Sequence, residues 1–139
     1  MNSKRLLLAI LAVFAGLFAT DFLIHAVWLQ GVYKETMSLW RPEAEMGHYF
    51  PFLLLGQFLI AATFVIIWSK GFPAVSTLGG TCLYGLTMAL FGQAMTLITY
   101  AIQPMPGSLM VKWFFAGLGQ GVLMGVIVFL VGKPKPARG

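Results

Sequence analysis

The chain has 139 residues, 59% hydrophobic and 9% charged, against roughly 25% charged residues in a soluble domain. This composition excludes a soluble globular enzyme and predicts an integral membrane protein. The formal net charge of +5 does not indicate nucleic acid, because six of the nine basic residues (Lys4, Arg5, Lys70, Lys133, Lys135 and Arg138) fall at the N-terminus, the second connection and the C-terminal tail, the pattern of membrane topology.

Apolar runs cover about residues 6–29, 49–68, 75–102 and 109–131. Each meets the roughly 20 residues that cross a hydrocarbon core about 30 Å thick. Lipid leaves no partner for unpaired backbone groups, so these continuous runs predict helices. The expectation is a single all-α domain over residues 1–139. It is an integral membrane four-helix antiparallel bundle that leaves no room for a soluble domain. The positive-inside rule puts both termini in the cytoplasm and the segment of residues 30–47 outside.

The first span begins after Lys4 and Arg5 with LLLAILAVFAGLFA and continues through TDFLIHAVWL. Its length, beyond the roughly 7–15 apolar residues of a signal peptide, reads as an uncleaved helix. Asp21 and His25 interrupt its apolar pattern one turn apart, a spacing that permits a hydrogen bond along a helix. An imidazole held on one nitrogen by a carboxylate keeps the other for a proton, a metal or a ligand.

The connection that follows, QGVYKETMSLWRPEAEMGH, carries most of the extramembrane charge. Val32, Tyr33, Met37 and Trp40 are spaced for a short interfacial helix in residues 32–40, which Pro42 ends. Trp40, Arg41, Glu43 and Glu45 form the candidate outer lid, or a re-entry element anchored by Trp40 and Tyr33. His48 stands at the start of the second span, close to Pro51.

The second, third and fourth spans each contain a Gly-Gln pair, at Gln57, Gln93 and Gln120. Counted from the outer ends at about 1.5 Å per residue, Asp21, Gln57, Gln93 and Gln120 lie roughly 12–16 Å deep, in one layer. Helical spacing places Phe50, Leu53, Ala61 and Phe64 on the face of Gln57, and Cys82, Leu86, Ala89, Leu97 and Tyr100 on that of Gln93. If those faces point inward, the bundle has an apolar cytoplasmic half. The polar floor of its outer half is then rimmed by Trp28, Tyr100 and Trp113.

The short turns KGFPA and QPMPGS link the later spans. Cys82 is the one cysteine, so there is no disulfide framework. Gly117, Gly121 and Gly125 form a small-xxx-small series for close helix packing. That face would serve either the bundle itself or a homo-oligomer or larger membrane complex. The tail KPKPARG reads as a solvated topogenic end.

The stretches DFLIHAVWL and LWRPEAEM resemble an uncharacterised family of short four-span bacterial inner-membrane proteins, over residues 20–46. The resemblance implies a bacterial inner (plasma) membrane and no activity.

Two accounts of the polar layer stand. It is either interhelical glue, at roughly 0.6–2 kcal/mol per hydrogen bond, or a site. A carboxylate costs several kcal/mol in the membrane if ionised and unpaired, whereas another Gln would serve the glue without that cost. The leading reading is an outward-facing polar pocket for a small polar ligand, cation or proton, formed by Asp21, His25, Gln57, Gln93 and Gln120. The alternatives are a noncatalytic accessory subunit and, third, a membrane enzyme using Asp21 and His25, for which no serine stands at a recognisable spacing. The cofactor is unknown. Asp21, His25 and His48 are the candidate metal ligands, and the two histidines could ligate haem b, although C-x-x-C-H is absent.

Overall fold

The computed structural model describes residues 1–71 and 77–132. The expected start of the third span at Val75, the rest of KGFPA after Gly71, and the tail with Lys133, Lys135 and Arg138 lie outside the described residues. The described chain is 91% helix, with no strand. Helix α1 (Ser3–Asp21) runs directly into a π-helical segment, Phe22–Trp28. Helix α2 (Gln30–Glu35) and single 3-10 turns at Met37–Leu39 and Glu43–Glu45 lead to α3 (Met46–Gly71), α4 (Leu78–Ile102) and α5 (Gly107–Gly132). Four stretches, Ser3–Trp28, Glu43–Gly71, Leu78–Ile102 and Gly107–Gly132, are long and apolar enough to cross a membrane.

Local chemistry explains the boundaries. Asn2 caps α1 by accepting from Arg5 N at 3.0 Å, and Thr77 caps α4 by accepting from Gly80 N at 3.0 Å, each satisfying an orphan donor of a first turn. Gln103, extended before Pro104, ends α4, as expected where a following proline disfavours the helical conformation. The carbonyl of Pro106 then accepts from Leu109 and Met110 to start α5.

The short helix of this connection, α2, ends sooner than the spacing of residues 32–40 predicts. It stops at Thr36, whose backbone is at φ −111° and ψ 26°. The Thr36 hydroxyl bonds back to the carbonyl of Val32 at 2.7 Å and accepts the Trp40 indole N–H at 2.9 Å. A β-branched hydroxyl residue that bonds its own backbone competes with helix continuation.

Helix α5 packs closely on α4 through its glycines. A Cβ on Gly121 would strike Ala89 and the carbonyl of Gly85, one on Gly125 would strike the carbonyl of Thr81, and one on Gly117 would strike the Gln93 side chain. Rising positions on α4 thus meet falling positions on α5. The glycine face is buried within the chain, and its complement on α4, Gly85, is buried too.

Helix α1 packs against both α5 and α3. The apolar core lies toward the start of α1 and joins Ala9, Val13 and Leu17 to Ala61, Val65 and Trp68 of α3, Tyr84 of α4 and Val128 of α5. Helices α3 and α4 meet there through Phe64 and Tyr84, with ring centroids 4.7 Å apart and the Tyr84 hydroxyl donating to Phe64 O at 2.6 Å. They are not packed along their lengths as α1 and α3, α1 and α5, and α4 and α5 are. Consequently several residues expected to face inward are exposed: Phe50 and Leu53 on α3, and Leu86, Leu97 and Tyr100 on α4.

Candidate functional site

Asp21 is the last residue of α1, and the chain beyond it widens into the π-helical turn, where Leu29 N bonds to Ile24 O, five residues back. Wide turns of this kind recur at functional sites. They also shift the register of the side chains. The four-residue spacing predicted a hydrogen bond between Asp21 and His25, but the two take different partners.

Both carboxylate oxygens of Asp21 accept from carboxamides on other helices. Gln120 Nε2 of α5 donates to Oδ1 at 2.6 Å, and Gln57 Nε2 of α3 donates to Oδ2. Gln120 Nε2 also reaches Thr20 Oγ1 at 2.9 Å, whose hydroxyl donates back to the α1 carbonyls of Gly16 and Leu17. Gln57 is buried, and its Oε1 has no partner among the described residues. The third carboxamide behaves differently. Gln93 Oε1 accepts from Thr96 at 2.6 Å, and the side chain lies against Gly117 without reaching Asp21.

His25 belongs to an aromatic group that the connection between the first two spans completes. Its Nδ1 lies 2.5 Å from the Tyr33 hydroxyl, which accepts from Trp113 Nε1 at 2.8 Å. An indole N–H only donates, so the chain that uses each group once runs from Trp113 to Tyr33 to His25 Nδ1. It assigns the proton of a neutral imidazole to Nε2. Tyr33 stacks on His25 at 6.0 Å and packs against Trp40 at 5.6 Å, while Trp40 lies 5.8 Å from Trp113. Burial pushes the Tyr33 phenol above its ordinary value of 10.0, an effect that the Trp113 donor opposes and the Asp21 charge reinforces.

Between these groups is a cavity of about 280 Å³ lined by Asp21, His25, Gln93, Thr96, Trp113 and Gln120, with Leu17, Ile24, Ile60, Ala116 and Gly117 as its apolar wall. Gln57 is absent from this lining, and it reaches the site through Asp21. Trp28 and Tyr100, the other expected rim residues, are exposed and outside the lining. Lys112 Nζ lies 5.8 Å from the Trp28 ring. Of the expected lid, Trp40 joins the aromatic group, Arg41 sits over the Tyr49 ring at 3.8 Å, and Glu43 and Glu45 are exposed in a 3-10 turn. Among the described residues no three His, Cys, Asp or Glu side chains form a metal-binding group, so His48 does not join Asp21 and His25.

Thr20 and the hydrogen-bonding role of Tyr33 were not read from the sequence. Thr20 was legible as the neighbour of Asp21. Tyr33 was legible as an interfacial anchor and not as a partner of His25, because only the fold of the connection brings residues eight apart together across a helix end. No protein-family model, curated protein or solved structure matches the chain.

Proposed function

We propose that the chain is an antiparallel four-helix bundle of a bacterial inner membrane, with its termini cytoplasmic and residues 30–47 outside. Its outward-facing polar pocket binds a small polar ligand, cation or proton at Asp21. The observation that carries this reading is the cavity of about 280 Å³ that reaches the carboxylate and is walled by groups from three other positions along the chain, His25, Gln93 and Trp113. A layer serving only as glue has no use for an open space at its most costly group, since a buried charge is stabilising only when closely paired.

Two further observations support it over the alternatives. The glycine face that an accessory subunit would offer to a partner is covered by α4. Asp21 and His25 take separate hydrogen-bond partners, which favours the pocket over a membrane enzyme that uses the two as a directly bonded acid–base pair.

The test compares wild type with Asp21→Asn, reading thermal unfolding in detergent while titrating Na⁺, Mg²⁺, methylammonium and pH. Binding at the carboxylate predicts saturable stabilisation of the wild type by at least one of these. It also predicts a folded Asp21→Asn protein that has lost that response. An Asp21→Asn protein indistinguishable from wild type in every titration and in cells would replace this reading with the accessory subunit.

A further inference from the structure

We infer that the cavity beside Asp21 takes the hydrogen-bond-donating head of a single-chain amphiphile, an amine or an alcohol, whose apolar tail passes between α3 and α4 into the bilayer. The inference rests on the pocket reading and adds a ligand class and a route to it.

The size of the cavity is the first argument. At about 280 Å³ it lies at the lower edge of the roughly 300–1,000 Å³ typical of small-molecule pockets. At the roughly 30 Å³ that a water-sized atom occupies in a liquid it holds about nine non-hydrogen atoms, the head and the first part of the tail of a twelve-carbon amphiphile and not the whole of it.

The second argument is the sign and type of its polar groups. Asp21 supplies a carboxylate, and no Lys or Arg is among the lining residues. A phosphate or carboxylate head would meet a like charge with nothing to neutralise it, a juxtaposition that interfaces avoid. Such surroundings favour a head that donates. The Thr96 hydroxyl adds an orienting oxygen on the lining, and His25 Nε2–H can donate to the oxygen of an alcohol head.

Access is the third argument. His25 and Trp113 line the cavity and carry Tyr33 and Trp40 stacked against them, so aromatic rings cover the side toward the outer segment. On the membrane side α3 and α4 part. Tyr84 and Met88 of α4 pack into the core, but Phe91, Met95 and Ile98, which continue the same helix face, are 81%, 59% and 50% exposed. Ile60, the α3 residue of the cavity wall, is 52% exposed. Apolar exposure on a spanning helix is ordinary. Ile60 is at once part of the cavity wall and exposed, so the wall on the α3 side, away from the aromatic rings, is the side on which an apolar chain reaches lipid.

The experiment uses the full chain in phosphatidylcholine nanodiscs and reads thermal unfolding against dodecylamine, dodecanol, dodecanoate and methylamine. At least one of dodecylamine and dodecanol is expected to stabilise saturably at concentrations at least about tenfold below dodecanoate and methylamine. A lead for the amine over the alcohol identifies charge pairing with Asp21, and equal effects identify hydrogen bonding alone. Asp21→Asn should erase the preference over dodecanoate, and Ala116→Leu, which adds bulk to the cavity wall, should weaken both long-chain ligands. Dodecanoate as effective as the better donor-headed ligand would overturn the head assignment. Methylamine as effective as dodecylamine, with the effect lost in Asp21→Asn, would overturn the amphiphile and leave the polar pocket standing. No stabilisation by any probe would overturn the inference, and the pocket reading would then be decided by the inorganic cation and pH titrations.

Discussion

Replacing Asp21 by Asn and by Leu separates the charge of this residue from its hydrogen bonds. Each carboxylate oxygen accepts one carboxamide N–H, from Gln120 and from Gln57. An Asn keeps one acceptor oxygen for Gln120 and turns an N–H₂ toward Gln57. That donor would face another donor unless the Gln57 amide turns over, which Gln57 Oε1, without a partner among the described residues, permits. The number of hydrogen bonds is then conserved. Two bonds change from charge-assisted to neutral, a loss of about 1–3 kcal/mol in total. Removing an intramembrane charge returns a comparable or larger amount, several kcal/mol where its pairing is incomplete. Asp21→Asn is therefore expected to be as stable as wild type or more so. Asp21→Leu leaves the donors of Gln57 and Gln120 without their acceptor, at roughly 1–3 kcal/mol each, moderated for Gln120 by its bond to Thr20. Thermal unfolding in one detergent, monitored by loss of helical circular dichroism and by aggregation, compares the three proteins. If Asp21→Asn is destabilised as much as Asp21→Leu, the charge itself holds the helices together, and the argument from the cost of a buried carboxylate fails.

The glycines of α5 give a comparison with opposite signs. Gly121→Ala should destabilise, because its Cβ would meet Ala89 and the Gly85 carbonyl, whereas Gly119→Ala, with nothing within 4 Å of its Cβ, should stabilise by about 0.5–1 kcal/mol through helix propensity; equal shifts would remove the close-contact account. Tyr33→Phe should free Trp113 and His25 from their shared hydroxyl and raise the proteolytic susceptibility of residues 30–45, and unchanged cleavage would show that ring stacking alone holds the segment. Because the Tyr33 value is raised above 10.0, its contribution to stability is fully present below pH 10 and is lost as pH rises through the folded value. The phenolate absorbance step that Tyr33→Phe deletes should accordingly lie above pH 10, and a step below it would contradict the burial. A cysteine introduced at Glu43, in a Cys82→Ser background, should be labelled from outside intact cells, and labelling only after the membrane is opened would reverse the proposed orientation.

Four apolar spans and an all-helical class follow from the sequence because lipid leaves a long apolar run one way to satisfy its own backbone, and that demand is local. Pro104 with Pro106, and the capping Asn2 and Thr77, mark boundaries for the same local reason. Depth along a helix is also a local quantity, so counting residues put Asp21, Gln57, Gln93 and Gln120 at one level. It could not say which of them touch. Tertiary structure decided that Gln57 and Gln120 take the two carboxylate oxygens while Gln93 turns to Thr96, and that the Gly117–Gly125 face is covered by Gly85 and Ala89 of the same chain. It also decided that α3 and α4 diverge beyond Phe64 and Tyr84, which exposes faces that periodicity alone would turn inward. Periodicity failed most clearly after Asp21, where the π-helical turn abandons the 3.6-residue repeat on which the Asp21–His25 pairing was read. A side chain's partner depends on the azimuth of its helix and the path of a distant connection. Neither is encoded in the spacing of residues along one span, and the meeting of His25, Tyr33 and Trp113 depends on how the connection of residues 30–45 folds against the helix ends.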